Sequence, residues 1–232
     1  EADLGVSVVG VGGGIQHLAK NKKSSWGVSY NYTNLALAFN VIKQKQDFYI
    51  LPLVHQGDAN FRIKTKSGGF IKYFGYISTN KTGFRSTDID TAIIKDAFSI
   101  NNLNTYQNIN WKDKIGRGWK IDTGLSFSTN KDEIKSETQD LFNNKYVITN
   151  PVFYEFKNFN VVSRAKYAQA RLVFEKKLKA LNAIRFGAEY FHSNENSTFT
   201  QNNGKISTDE VQDNFVAGFA ETDIYVTNNL AA

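Results

Sequence analysis

The chain of 232 residues has no cysteine, no methionine and only 2 prolines. Without cysteine it can form neither disulfides nor thiolate metal sites. No stretch of about 18 apolar residues occurs, which excludes a membrane-spanning helix. A membrane barrel stays open, because each barrel strand is only half apolar and averages out in a hydropathy window. The opening Glu1-Ala2-Asp3 is acidic and lacks a basic segment followed by an apolar run, so no signal peptide is read. With methionine missing at position 1, the chain is expected to begin after processing or inside a longer protein. Few prolines and 17 glycines rule out collagen-like or disordered composition. The length suits one large all-β domain or two small ones.

Catalytic and metal-binding patterns are also missing. His17, His55 and His192 are the only histidines, and none has a second histidine or carboxylate at metal-motif spacing. Asp88-Ile89-Asp90 and Asp132-Glu133 offer oxygens to Ca²⁺ without the rest of a 12-residue loop. No Gly-x-Ser-x-Gly elbow occurs. The glycines of Gly10 to Gly14 are followed by neither Lys-Ser/Thr nor a helical pattern, so they read as a bend or strand kink rather than a phosphate loop. No enzyme activity, cofactor or resident metal is expected. The net charge is +6, but Lys and Arg are scattered and no nucleic-acid module is present, so no nucleic-acid partner is expected.

What the chain does contain is two-residue alternation. Trp119, Ile121, Thr123, Leu125 and Phe127 share one face, and Lys120, Asp122, Gly124, Ser126 and Ser128 share the other. Successive strand side chains point to opposite faces, so the two sets meet different media. With a first arm ending in Ile109 and Trp111 and a polar turn from Asp113 to Gly118, Asn102 to Asn130 reads as a hairpin. A second hairpin joins Ala59–Thr65 to Ile71–Ile77 across Ser67-Gly68-Gly69, and a third joins Phe159–Phe174 to Ile184–Tyr190. Trp26 to Tyr32 alternates, then Leu35 to Val41 continues out of phase after a turn or bulge at Thr33-Asn34. The last strand runs from Val216 to Val226 and meets a short turn at Thr227-Asn228-Asn229. Gln44–Gly57 reads as a connection, and 80–101, 131–158 and 192–212 read as long polar loops. Short turns alternating with long loops, aromatics beside the turns and charges confined to one face are barrel features. A soluble sandwich with solvated outer faces is the competing reading.

Several stretches bear a family likeness: Asn31-Tyr32-Thr33-Asn34-Leu35, Gly57-Asp58-Ala59-Asn60-Phe61-Arg62, Gly118-Trp119-Lys120 with Ser128-Thr129-Asn130-Lys131-Asp132, and Phe219-Ala220-Glu221-Thr222-Asp223. On these the chain resembles the barrel of TonB-dependent outer-membrane receptors, in particular the kind common in Bacteroidetes. The resemblance implies an all-β fold, a transmembrane antiparallel β-barrel with short periplasmic turns and long extracellular loops, here a portion of a 22-stranded barrel. It implies residence in the bacterial outer membrane, contact with outer-membrane lipid, and gated uptake of a scarce small-molecule or oligomeric nutrient such as an iron chelate, cobalamin, glycan or peptide. It further implies coupling to the TonB complex through a plug region not in this chain, and a surface lipoprotein as a further partner. Residues 1–232 are then barrel alone. No TonB box is seen, Ala231-Ala232 is not the usual aromatic ending, and the length does not hold a plug and 22 strands. The expectation is a fragment, completed by further chain or by copies of itself. Two alternatives stand: a structural or docking barrel subunit without uptake, and a soluble carbohydrate-binding sandwich.

Binding is expected in two places. The lumen face offers Arg62, Lys64, Lys72, Tyr76, Tyr106, Lys120 and Asp122, and the long loops offer Arg85, Asp88, Asp90, Tyr146 and Tyr154. Loop aromatics can stack on sugars or chelates, or simply pack the loops onto one another.

Overall fold

The computed structural model describes residues 1–178, 182–223, 225–227 and 230–231. Ten strands form one antiparallel sheet in sequence order, each paired with the next. They are β1 (Ala2–Ser7), β2 (Gly10–Leu18), β3 (Ser24–Asn34), β4 (Asp47–Lys64), β5 (Phe70–Thr87), β6 (Ile94–Gly116), β7 (Trp119–Asp140), β8 (Phe159–Lys177), β9 (Ala183–Gln201) and β10 (Ile206–Asp223). Two short strands, Tyr225–Thr227 and Leu230–Ala231, pair separately. Ile224 and the final turn at Asn228-Asn229 lie outside the described residues, as do 179–181 in the β8–β9 connection.

The organising hairpin is β6–β7, and it is far longer than its alternation suggests, 23 and 22 residues. β6 runs through the segment read as a polar turn, and only Arg117-Gly118 lies between the strands. Gly116, Arg117 and Gly118 all have positive φ, at 91°, 50° and 77°. Two glycines make that backbone cheap, since a side chain resists the left-handed region.

Two of the segments read as long loops, 80–101 and 192–212, are mostly strand, and the third, 131–158, is strand as far as Asp140. β5 extends to Thr87 and β6 starts at Ile94, β7 extends to Asp140, and β9 and β10 are separated by 202–205 only. Their alternation was invisible because both faces are polar there: hydropathy contrast, not pairing, had ended. Of the long connections, 141–158 is the one that keeps its length, with a short 3-10 helix at Val152–Lys157. Gln44–Gly57 likewise is strand from Asp47 on, with register shifts between Phe48 and Leu53. Pro52 has no N–H for the ladder, and the irregularity lies beside it. The glycines of 10–14 sit within β2 rather than at a bend.

Leu35–Val41 is the clearest departure from alternation. It forms a helix, α1 (Ala36–Val41), where a strand was expected. The Asn34 side chain accepts a hydrogen bond from the Ala36 N–H at 2.9 Å and turns the chain out of β3. Such Asn-to-backbone bonds compete with strand pairing. Phe39 then packs on Phe48, with ring centroids 5.2 Å apart.

The register joins the apolar sets of all ten strands into one face. A single row runs His17, Trp26, Phe61, Tyr73, Ile109, Leu125, Ala170, Tyr190, Val216. No second sheet covers it among the described residues, and Leu125 and Phe127 are 57% and 46% exposed. A sandwich would bury these residues between sheets. The apolar band starts at Trp26 on β3 but at Ile184 on β9, six residues nearer the turns than Tyr190, which shares the row of Trp26. A slide of six residues over six strand steps, at ~3.4 Å per residue and ~4.8 Å per strand, inclines the strands by about 35° to the normal of the band. That is the strand tilt of a membrane barrel. The sheet is a portion of an antiparallel β-barrel of the transmembrane type, its apolar band on the outer face and its opposite, polar face toward the lumen.

This geometry separates two substitutions one residue apart. Leu125→Arg, on the lipid face, should cost about 2–4 kcal/mol in refolding into bilayers. Ser126→Arg, on the lumen face, should cost much less. Urea-dependent refolding of the intact protein into lipid vesicles reads both, and equal costs would mean that the two faces are misassigned.

Candidate ligand-facing wall

Near the short turns the lumen face is a chain of ion pairs. Lys112 meets Asp122 at 2.8 Å, and the Asn110 amide also donates to Asp122. Lys120 pairs with Glu175. Arg185 gathers three carboxylates from its two neighbouring strands: Glu175 of β8 at 3.1 Å, and Glu221 and Asp223 of β10 at 3.1 and 2.8 Å. Arg171 pairs with Glu189 at 3.0 Å. Period-two register puts these charges on one face, and antiparallel pairing puts opposite signs across from each other. A shallow hollow lies over them, walled by Lys120, Asp122, Arg171, Glu175, Arg185 and Phe219. On the other side of β6, the Arg62 guanidinium stacks on the Phe70 ring at 3.8 Å from its centroid, Lys72 stands opposite Arg62, and Lys64 lies exposed at the end of β4.

Higher on the same face the cations give way to neutral donors and acceptors and to carboxylates such as Asp58, Asp132 and Glu195. Tyr76 stands opposite Tyr106, whose ring lies 6.3 Å from that of Phe74. The Asn102 amide donates to Asn130 at 2.8 Å, and the Asn130 amide donates to Asp132 at 2.6 Å. Tyr167 donates to Glu195 at 2.8 Å. On β3–β10 beyond Lys72 and Arg171, toward the loops, the lumen face carries no Lys or Arg among the described residues. The cations of those strand extensions all stand on the outer face.

At the loop end the connection 141–158 folds over the wall. Asp88 is fully enclosed: its side chain accepts from the Asp90 and Thr91 N–H groups at 2.9 and 3.0 Å. Lys157, from the 3-10 helix, pairs with Asp88 and reaches Asp96 at 3.1 Å. Tyr154 is buried with its hydroxyl 3.5 Å from Asp88. Asn158 bonds the Thr138 backbone at 2.9 Å and the Thr138 hydroxyl at 3.2 Å. Enclosure raises the Asp88 carboxyl, but Lys157 and the two backbone donors outweigh it and hold the group below the usual carboxylate range. Lys157 is correspondingly held above the usual lysine range by Asp88 and Asp96 against its own desolvation.

The twelve residues expected at the site therefore divide. Arg62, Lys64, Lys72, Tyr76, Tyr106, Lys120 and Asp122 share the lumen wall. Asp88 and Tyr154 are joined in the loop latch, with Asp90 exposed beside them. Arg85 points to the outer face, held by Gln139 at 2.7 Å, by Asp47 at 3.6 Å and over the Tyr49 ring. Tyr146 is 46% exposed, and its backbone N–H donates to the Thr138 carbonyl at 2.8 Å. Sequence reasoning did not select Glu175, Arg185 or Lys157, which organise the two polar clusters. Parity carried along β8 and β9 to the turns would have paired the first two, since Arg185 alternates with Ile184 and Phe186 and stands opposite Glu175; Lys157 sits in a loop with no such signal. Among the described residues no group of three or more His, Asp or Glu is gathered as a metal site.

No protein-family model matches the chain, and no curated protein matches it in sequence. Solved structures do match in fold. The ferric yersiniabactin uptake receptor FyuA from Yersinia pestis aligns over 94% of this chain and 35% of its own, at 10% identity and a TM-score of 0.65. The ferric citrate transporter FecA, in its unliganded form, aligns over 94% and 34%, at 7% identity and 0.60. The chain thus has the fold of part of such a receptor barrel and spans about a third of the length of these proteins.

Removing the latch lysine should loosen both loops. Lys157→Ala leaves the enclosed Asp88 carboxylate without its cation, a loss of about 1–3 kcal/mol in local opening free energy. Amide exchange at 88–96 and 152–158 should accelerate while β7–β8 stays protected. A depressed folded pKa gives stability that is full above the unfolded value, near 4, and is lost as pH falls through the folded value. The wild-type loops should therefore open on acidification below about pH 4, with Asp96, Asp90, Tyr154 and Lys157 the groups that face Asp88.

Proposed function

We propose that this chain is part of the barrel of an outer-membrane receptor that takes up a scarce nutrient through a gated lumen. One observation carries the reading: a tilted, uncovered apolar band backs a polar wall, in a fold matched over 94% of the chain by an uptake receptor. The ion-paired turn end and the latched loop end bracket a cation-free stretch of Tyr, Asn, Ser and a few carboxylates, where a ligand would rest on Tyr76 and Tyr106. Arg62, Lys64, Lys72, Lys120 and Asp122 would face the segment that closes the barrel. In the resembled family that segment is a plug pulled by the TonB complex, and a surface lipoprotein of the Bacteroidetes kind would deliver the ligand. Residues 1–232 would supply barrel wall alone. The reaction is transport, with no bond made or broken.

Deleting the gene in its own bacterium should abolish uptake of one nutrient class, and collapsing the proton gradient should have the same effect. Growth on iron chelates, cobalamin, glycans and peptides as limiting sources reads the first, and labelled uptake reads the second. Normal uptake with loss of another outer-membrane complex would point instead to a docking subunit. Full solubility without detergent would overturn the membrane reading altogether.

A further inference from the structure

On the outer face, just beyond the continuous apolar run, three cations stand together, none of them in an ion pair among the described residues. Lys131 on β7 is directly opposite Arg164 on β8, and Lys166 is two residues along β8, opposite Thr129. Like charges directly opposed on one sheet face are destabilising. No hydrogen bond or ion pair holds any of the three among the described residues, although other cations of the outer face are matched: Arg85 by Asp47, Lys135 by Glu137 and Lys95 by Asn143. The nearest acid on that face, Glu133, lies opposite Asn101 and Val162 and forms no ion pair. Arg164 and Lys166 are exposed and Lys131 half-buried.

Depth says what should fill the gap. The continuous apolar run of this face ends at Phe127 on β7 and Ala168 on β8, the cations follow two to four residues later, and Val162 is a lone apolar residue beyond them. At ~3.4 Å per residue and a tilt of about 35°, that places them roughly 6–11 Å outside the hydrocarbon, in the headgroup layer. They lie on the side of the long connection, away from the short turns. We propose that Lys131, Arg164 and Lys166 form a docking site for the phosphate of an anionic lipid headgroup, in the leaflet on the loop side. The inference rests on the membrane placement proposed above. Arg164 can bind phosphate through its planar fork, and the two lysines supply point charges on either side.

The test uses the intact protein that carries this chain, in zwitterionic detergent. It is titrated with a phosphorylated glycolipid, lipid A, and with its dephosphorylated counterpart, and the thermal unfolding midpoint is followed. Wild type should bind the phosphorylated lipid more tightly. The triple variant Lys131→Gln, Arg164→Gln, Lys166→Gln should lose that preference, on the order of a hundredfold at about fivefold per cation. Without lipid the variant should be as stable as wild type or more so, because the opposed charges are gone, so the order of the two proteins reverses when lipid is added. A control variant, Lys43→Gln with Lys45→Gln, should behave as wild type. Equal affinity of wild type and triple variant overturns the site, and so does indifference to the lipid's phosphate. Inorganic phosphate that reproduces the effect at the same concentration also overturns the lipid assignment. A protein that needs no detergent refutes the membrane placement itself, whereas one that needs it but shows no phosphate preference refutes only this site.

Discussion

Everything in this molecule hangs on the antiparallel ladder. The nine pairings of the main sheet satisfy the backbone of strands up to 23 residues long, and there is almost no core to help them. In hydrocarbon an unpaired N–H or C=O costs several kcal/mol, so the ladder is both the scaffold and the condition for entering lipid. The side chains then need only obey parity. One face takes the apolar residues and the other takes everything that water or solute must touch.

The most enclosed side chains lie at the loop end, not across the middle of the sheet. Ile94, Thr138, Asn158 and Asp88 are buried where the connection 141–158 folds back over β6 and β7. This cluster is held by polar bonds and one buried charge pair. Removing a partner from such a group costs more than the pair contributes when intact. The structure therefore concentrates its specificity at the mouth and leaves the wall to the repetitive ladder.

Parity made the hairpins legible in the sequence, and it failed where its contrast failed. Trp119 to Phe127 could be placed on one face from hydropathy alone. Lys131 to Asp140 could not, because a strand polar on both sides has the composition of a loop. Leu35 to Val41 failed the other way: it alternates like a strand, yet Asn34 turns the backbone aside and it coils. Lumen residues such as Tyr76, Tyr106, Lys120 and Asp122 were recoverable because they sit opposite apolar neighbours. The latch was not, because Asp88, Asp96 and Lys157 meet through a loop fold that leaves no period in the sequence. The charge asymmetry, cations outside and none on the upper lumen wall, emerges only once the extensions are paired.

The strand tilt has a further consequence for anything that passes along the wall. Because the strands are inclined, a straight descent does not follow a strand. For each residue of travel along the strand direction it drifts sideways by about half a strand, toward lower-numbered strands. A solute leaving the Asn102–Asn130 region and moving straight toward the turn side would cross three to four strands and arrive near Ser25 and Gly27 on β3, against nearly bare backbone. On the proposed uptake reading the route would be a diagonal through several hairpins, so the first and last side chains that a solute would meet are some seventy-five residues apart in the chain.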